Sequence, residues 1–248
     1  MRSNGLPATT DESSFGSVLI SFSDVTLPGA GGPFEILRDA GDLVVRVSGG
    51  AELLRQSAET IYVLRLTGTA DADFVTVLNT GTVVDTPLVF FGSDGNGRFD
   101  ASLATSNVNL TGNGGDDLLI GGSGDDTLNG GDGNDTVYAG NGRDSVSGGN
   151  GNDRLFGNNG YDTISGGLGN DFLRGGRGRD SLTGDAGDDE LLGDDHNDTL
   201  IGGSDRADGE AGADTIDVQE APQPDGIDSV VGGDMADTTL WIRPIRPI

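Results

Sequence analysis

The chain contains no cysteine and no lysine, and positive charge is scarce in it. Its 248 residues include 14 basic residues, all arginine, against 41 acidic ones, so the formal net charge is −27. A protein that binds nucleic acid needs a basic face for the phosphates, so this balance argues against nucleic acid and favours cations as partners. The absence of cysteine excludes both a disulfide framework and a thiolate metal site.

Segments and motifs for membranes, Sec export and catalysis are also missing. No stretch approaches the roughly 18 apolar residues of a membrane span. Residues Met1 to Thr10 lack the charged start and apolar stretch of a Sec-type signal. The only histidine is His196, and neither an HExxH zinc motif nor a nucleophile elbow occurs. We therefore expect no membrane span, no catalytic residues and no enzyme activity.

Glycine, in contrast, is abundant, with 45 residues, and it follows a period of nine. From Gly112 to Ile201 the sequence divides into ten consecutive blocks of nine residues, such as GGDGNDTVY and GGNGNDRLF. Residues 202–208 read as a seven-residue interruption, and an eleventh block, GEAGADTID, occupies 209–217. Such a fixed short period is typical of a repeat architecture in which stacked units share one core.

Two positions of the block are strictly kept within the chain. The sixth is always aspartate and the eighth is always aliphatic in the ten blocks, while the fourth is glycine in nine of them. A glycine-rich turn of six residues followed by a strand of three fits this pattern, with the eighth side chain pointing inward. Two consecutive blocks then form one coil with a strand on each side.

The blocks resemble the RTX, or haemolysin-type, calcium-binding repeat, Gly-Gly-x-Gly-x-Asp-x-U-x, in which U is a large apolar residue. The resemblance implies an all-β fold, a right-handed parallel β-roll (β-solenoid) of the serralysin type. In that family each calcium ion lies between the turns of blocks n and n+2, held by two aspartates and turn carbonyls. Ten blocks then imply about eight Ca²⁺ ions. The metal ligands implied are Asp117, Asp126, Asp135, Asp144, Asp153, Asp162, Asp171, Asp180, Asp189, Asp198 and, from the eleventh block, Asp214.

Elementary electrostatics supports calcium independently. Stacking brings Asp117 beside Asp135 and Asp126 beside Asp144, and at about 5 Å each ionised pair would repel by roughly 3 kcal/mol. Calcium relieves that repulsion and accepts six to eight oxygen ligands, whereas magnesium demands a tight octahedron and zinc prefers His or Cys. The alternative, that the aspartates only form turns, would tolerate Asn or Ser at the sixth position.

Deviations from the repeat carry their own expectations. Asn or Asp replaces the second glycine at Asn113, Asn158, Asp185 and Asp194. These residue types tolerate left-handed backbone better than most. His196 replaces a fourth glycine, which we interpret as a left-handed turn residue, with metal ligation as the alternative. The site joining Asp180 and Asp198 is expected to be less regular.

Positions seven and nine should point outward on opposite sides of the buried eighth. In the even blocks they form a nearly continuous hydroxyl array, from Thr127 through Thr163 to Thr199. Such an array resembles the surface of some ice-binding solenoids, although Thr and Ser also simply suit exposed strands. In the odd blocks they include apolar residues such as Tyr138 and Phe156, which would suit a partner or self-association.

The flanks divide the chain further. We expect a partly flexible extension at 1–33, a degenerate β-rich solenoid or cap at 34–111, the calcium-binding β-roll at 112–217 and a C-terminal cap at 218–248, where Trp241 covers the last apolar layer. Within 34–111, strand patterns recur, and GSDGNGRFD at 92–100 keeps the block spacing but has Gly97 in place of the aspartate. GTADADFVT at 68–76 retains Asp73 and Val75. A separate β-sandwich is the alternative for 34–111.

The leading functional hypothesis is a secreted or cell-surface structural and interaction module that folds on binding Ca²⁺. Its partner could be a cell surface, a polysaccharide or another protein. Two alternatives stay open: an accessory repeat region of a secreted enzyme active on polysaccharide or lipid, and a solenoid that adheres to ice or another surface through its Ser/Thr face.

Overall fold

The computed structural model describes two groups of residues. It describes the strands between residues 10 and 77 given below, and then 87–202, 206–218 and 229–231. Within these residues every regular element is a β-strand, so no helix there is available to span a membrane. The expected all-β class is confirmed.

The strands form two sheets, numbered here along the chain. Sheet A contains β1 (Thr10–Phe15), β2 (Val18–Thr26), β6 (Val63–Thr67), β8 (Leu88–Phe91), β10 (Val108–Gly114), β12 (Thr127–Asp132), β14 (Ser145–Asn150), β16 (Thr163–Leu168), β18 (Ser181–Ala186), β20 (Thr199–Gly202) and β22 (Thr215–Val218). Sheet B contains β3 (Phe34–Asp39), β4 (Asp42–Val47), β5 (Glu52–Ser57), β7 (Phe74–Val77), β9 (Arg98–Asp100), β11 (Leu118–Ile120), β13 (Thr136–Gly142), β15 (Arg154–Gly160), β17 (Phe172–Arg177), β19 (Glu190–Asp195), β21 (Arg206–Asp208) and β23 (Ser229–Val231).

From β8 onward, neighbouring strands of each sheet run parallel, and through the nonapeptide blocks each strand pairs with the strand two blocks later. Leu128 in β12 pairs with Val146 in β14, and Val137 in β13 pairs with Leu155 in β15. Even blocks therefore supply sheet A and odd blocks supply sheet B, as the period predicts. The result is a parallel β-solenoid.

The core is a narrow double column between the two sheets. Each eighth-position side chain is at most 3% exposed, and the residues are Leu119, Leu128, Val137, Val146, Leu155, Ile164, Leu173, Leu182, Leu191 and Leu200. One coil of two blocks thus buries only two aliphatic side chains of this type, while ordering a turn-rich backbone whose glycines lose much conformational freedom. Apolar burial alone is a weak source of stability for such a coil.

The strands of residues 34–111 belong to the same two sheets, as a continued solenoid requires and a separate sandwich does not. Val75 and Phe99 are both fully buried and pair with each other, and Phe99 pairs in turn with Leu119 of the first block. The coils lengthen toward the N-terminus: Phe99 and its partner Leu119 are separated by slightly more than two blocks, and Phe34 and its partner Val75 by more than four. The antiparallel strands β1, β4 and β5 lie at this end. Asp73 lies outside the described residues, and the domain boundaries stay predictions.

The interpretation of 202–208 as an interruption is wrong, because this segment is a shortened block. Its strand β21 pairs with β19 in parallel, with Ala207 opposite Leu191 and fully buried. The coil that contains this block is therefore shorter than two full blocks, and β22 continues sheet A with the same reduced offset. Further on, β23 adds a strand to sheet B. Trp241 lies outside the described residues.

The sequence predicts all but one of the left-handed non-glycine residues in the described part of the chain, the exception being Glu210 with a φ of 58°. Positive φ angles between 71° and 77° occur at Asn113, Asn158, Asp185 and Asp194, and His196 has a φ of 87°. His196 is therefore a turn residue in the fourth position. Most fourth-position glycines have φ angles that other residues rarely adopt, such as 128° at Gly151.

We predict that Gly151→Ala lowers the stability of the calcium-loaded chain by about 1–3 kcal/mol, because φ is unfavourable for any side chain there. A methyl group on Gly151 would also collide with the Gly133 carbonyl, lying 2.6 Å from its carbon. Asn158→Gly is the control, since glycine accepts the same left-handed backbone at a small entropic cost. Thermal unfolding in calcium measures both, and equal melting temperatures would contradict the prediction.

Candidate calcium sites

The sixth-position aspartates are buried inside the corners of the solenoid. Each directly precedes a strand, so the turn carries its side chain inward between successive coils. All eleven proposed ligands are between 1% and 4% exposed: Asp117, Asp126, Asp135, Asp144, Asp153, Asp162, Asp171, Asp180, Asp189, Asp198 and Asp214. Carboxylates so well buried need partners or bound cations.

One carboxylate oxygen of each residue fastens adjacent coils together. Asp153 Oδ1 accepts the main-chain N–H of Asp135 at 2.7 Å, and Asp171 Oδ1 accepts that of Asp153 at 2.8 Å. The same contact recurs along both corners and survives the shortened coil, where Asp214 Oδ1 accepts the Asp198 N–H at 2.8 Å. The aspartates therefore form two continuous ladders, and the rung from Asp180 to Asp198, at 2.8 Å, is as regular as the others.

The ladders of carboxylates begin at the first nonapeptide coil. Asp117 Oδ1 accepts the N–H of Gly97, and Asp126 Oδ1 accepts that of Val108. Gly97 and Val108 thus occupy the sixth position of the preceding coil without supplying a carboxylate. Parallel strand pairing continues upstream of this point, from β9 to β7 and from β10 to β8, whereas Gly97 and Val108 supply no carboxylate.

The second carboxylate oxygen carries the case for a metal. It is buried and makes no hydrogen bond within the described part of the chain at Asp135, Asp144, Asp153, Asp162, Asp171, Asp180 and Asp198. An unsatisfied buried carboxylate oxygen is costly, and seven repetitions rule out a local irregularity. This oxygen is suited to bind a cation.

A main-chain carbonyl oxygen of the next coil lies close to this carboxylate oxygen, and both are next to the first glycine of the block. A methyl group on Gly193 would lie 2.6 Å from Asp198 Oδ2 and 2.9 Å from the Gly209 carbonyl oxygen. On Gly175 it would lie 2.5 Å from Asp180 Oδ2 and 2.9 Å from the Gly193 carbonyl oxygen. Glycine thus leaves space in which a carboxylate of one coil and a carbonyl of the next converge.

This donor set fits calcium. Among the described residues no three His, Cys, Asp or Glu side chains form a metal-binding group, so carbonyl oxygens must complete any site there. Calcium accepts such mixtures of carboxylate and carbonyl oxygens in flexible geometry, whereas zinc takes tetrahedral nitrogen and sulfur ligands. The residues present could therefore hold Ca²⁺, which would supply the charge that the buried carboxylates lack.

Burial raises the pKa values of eight ladder aspartates in the metal-free chain, namely Asp126, Asp135, Asp144, Asp153, Asp162, Asp171, Asp180 and Asp198. It brings the pKa of Asp144 and of Asp153 to about 7 and that of Asp198 to about 8, with main-chain hydrogen bonds opposing the rise. Neighbouring carboxylates raise these pKa values further but contribute less than burial. Loss of hydration, rather than the side-by-side repulsion expected from the sequence, is the main cost of ionising the ladder.

Comparison with known proteins agrees with this geometry. The model of the RTX calcium-binding nonapeptide repeat matches four times, at residues 111–146, 147–182, 175–206 and 202–218. The match at 202–218 covers the whole shortened block, and the match at 175–206 ends within it. Neither the curated proteins nor the solved structures contain a significant match to the chain.

We predict that Asp153→Asn separates metal binding from the hydrogen-bonded ladder. The amide oxygen can still accept the Asp135 N–H, but the ionised second oxygen is lost. Because Asp153 has rungs with both Asp135 and Asp171, up to two ions should be lost and calcium-loaded stability should fall by about 3 kcal/mol. Native mass spectrometry counts the ions and thermal unfolding gives the stability.

Asp188→Asn is the matched control, because Asp188 is exposed on the same edge of the rod and loses the same charge. In chelator, Asp153→Asn should retain as much β-structure as the wild type or more, since a buried charge is gone. An ion count equal to that of Asp188→Asn would show that Asp153 is no ligand.

The raised pKa values also predict an inverted pH dependence for the calcium-stripped chain. Folded aspartates with pKa values of about 6 to 8 bind more protons than unfolded ones with the ordinary value of 3.8. Stability is then greatest near pH 4 and is lost as pH rises through about 6 to 8. Circular dichroism in metal-free buffer should show β-structure increasing on acidification, and a decrease would contradict this.

Proposed function

Because residues 111–218 form an RTX-type β-roll, we propose that the chain is an extracellular structural and interaction module that folds on binding Ca²⁺. The observation that carries this proposal is the series of buried Oδ2 atoms without hydrogen bonds. A fold that repeats so many buried carboxylates is strongly disfavoured at neutral pH while they are ionised and metal-free. Ca²⁺ would turn the same groups into a source of stability.

The number of ladder rungs suggests how many calcium ions the chain binds. The sequence of ten blocks implies about eight. Nine pairs of aspartates are joined by rungs, the ninth being Asp198 and Asp214 across the shortened coil. We propose that this ninth pair also binds calcium, so that full loading corresponds to about nine ions.

If folding requires bound calcium, the chain would fold outside the cell, where the calcium concentration is high. Oxygen-ligand sites in extracellular modules bind calcium at about 0.1–1 mM, far above cytosolic concentrations. The left-handed glycines give the unfolded chain high entropy, and the charge of −27 keeps it extended. These properties support secretion of an unfolded chain that folds at the cell surface or in the medium.

We further propose that the module is not catalytic. The one histidine of the chain, His196, serves as a left-handed turn residue, and the buried aspartates are occupied in the ladders. Both outward faces remain available for contacts. The hydroxyl residues of sheet A are aligned, with Thr127, Ser145 and Thr163 in one column, which keeps surface adhesion as an alternative.

A calcium titration followed by circular dichroism tests the central proposal. We expect a cooperative gain of β-structure at submillimolar to millimolar calcium, reversal by EGTA, and a much weaker response to magnesium, which tolerates these irregular oxygen sites poorly. Sodium chloride at matched ionic strength is the control for general charge screening. A chain that is fully folded in EGTA at neutral pH would overturn the proposal.

A further inference from the structure

The two corners of the rod differ at the fifth position of the block, which directly precedes the ladder aspartate. We call the corner formed by the turns of the odd blocks the odd corner, and that formed by the turns of the even blocks the even corner. At the odd corner, the side-chain oxygen of each fifth residue accepts the main-chain N–H of the fifth residue one coil later. The donors there are Asp116, Asn134, Asn152, Asn170 and Asp188. This corner is therefore closed by an unbroken second ladder of side-chain acceptors.

At the even corner the same ladder is interrupted. Asp125 Oδ1 accepts the N–H of Arg143 at 2.9 Å, and Asn197 Oδ1 accepts that of Ala213 at 3.2 Å. Between these rungs the fifth residues are Arg143, Tyr161 and Arg179, and the arginines have no acceptor atom at all.

Three main-chain donors consequently lose their ladder acceptor. Within the described residues, the N–H groups of Tyr161, Arg179 and Asn197 make no hydrogen bond. The fifth residues of the preceding coils are Arg143, Tyr161 and Arg179, in that order, and a guanidinium group cannot accept a hydrogen bond. Because Tyr161, Arg179 and Asn197 are exposed, their N–H groups are available to a ligand.

A groove of about 1360 Å³ runs over this interruption. Arg143, Arg177 and Arg179 line it, with the hydroxyl groups of Thr163 and Ser181 along the side toward sheet A. Arg177 lies 3.7 Å from Asp195, whereas Arg143 and Arg179 form no ion pair with any described carboxylate. Asp125 lies at one end, and the other lining aspartates, Asp162 and Asp180, are buried in the main ladder.

We propose that this even-corner groove is an oxyanion site that binds sulfate groups, repeated along a polyanionic chain or supplied as free sulfate. Coils are about 4.8 Å apart, so Arg143 and Arg179 are separated by about 10 Å along the rod, with orphaned N–H groups on successive coils. Oxyanions bridging guanidinium and main-chain N–H groups make strong, charge-assisted hydrogen bonds.

Calcium narrows the choice of oxyanion. The inference rests on the proposed function to the extent that the rod must be calcium-loaded, and bound Ca²⁺ beside Asp162 and Asp180 would add positive charge under the groove. Carboxylate groups on a ligand are themselves calcium ligands and would compete with those aspartates. Sulfate esters bind calcium weakly and keep their charge at all relevant pH values, so they are compatible with a loaded rod.

Isothermal titration of the calcium-loaded full chain with dextran sulfate and, separately, with sodium sulfate tests the site. The variant R143N/R179N removes two cations and restores the acceptor found at the odd corner, so its fold should be kept. We expect its affinity to fall at least about tenfold, as expected for lost charged hydrogen bonds. The control R98N/R154N removes two arginines from the outer face of sheet B and should bind like the wild type.

The outcomes separate the two proposals. If calcium induces no β-structure in the wild type, the proposed function itself is wrong. The sulfate-binding proposal is wrong if a normally folded chain binds neither probe. It is also wrong if R143N/R179N binds the probes as tightly as the wild type. Binding of dextran sulfate alone would identify a polymeric ligand, and binding of both probes would identify a site for single sulfate groups.

Discussion

The structure depends on one contact, the hydrogen bond from the main-chain N–H of an aspartate to the Oδ1 of the aspartate one coil later. It ties successive coils at the corners, where strand pairing ends, and it fixes the orientation of the carboxylate. Once Oδ1 is engaged, Oδ2 must point toward the first glycine and the carbonyl of the next coil. For Asp135 and Asp153 this geometry combines a structural link with a buried carboxylate oxygen that has no hydrogen-bond partner among the described residues. The same side chain therefore links adjacent coils and presents a buried oxygen that could bind a cation.

Parallel stacking of the coils extends further along the rod than the aspartate ladders do. Upstream of Asp117 the coils still pair in parallel, and Phe90 and Phe99 are buried where the repeat core has Leu, Val or Ile. These two Phe side chains bury more apolar area than the aliphatic residues of the repeat. Downstream, the core residues are mostly Leu, Val and Ile, and each of the ten blocks has a buried sixth-position aspartate. The change from Gly97 and Val108 to Asp117 and Asp126 marks the point where the ladders begin.

The sequence predicted the repeat region well because its period leaves little freedom. The buried eighth residue, the alternation of sheets and the left-handed residues at Asn113, Asn158 and His196 all follow from a strict count of nine. The shortened block at 202–208 cannot be predicted from the period because it has seven residues instead of nine, and its inward residue, Ala207, is too small to give an apolar signal. From the spacing alone, repulsion between neighbouring carboxylates is the expected cost of ionising the ladder. Burial of the sixth residue, which is the larger cost, depends on how the turn folds, and the spacing does not reveal this. The long coil between Phe34 and Val75 has no period from which to predict it.

Positions that the fold does not constrain are where two otherwise equivalent corners acquire different chemistry. The sixth and eighth residues are required at both corners, whereas the fifth needs only to be polar and exposed. At the odd corner that freedom is used for Asn and Asp, which add hydrogen bonds between coils such as that from Asn152 to Asn134. At the even corner, Arg143, Tyr161 and Arg179 give up those bonds. Three adjacent coils thus lose stabilising contacts on a chain that otherwise has few basic residues. Because the same backbone forms a complete ladder on the other side of the rod, the interruption is not imposed by the fold, and it leaves three exposed N–H groups that the proposed oxyanion would accept as hydrogen-bond donors.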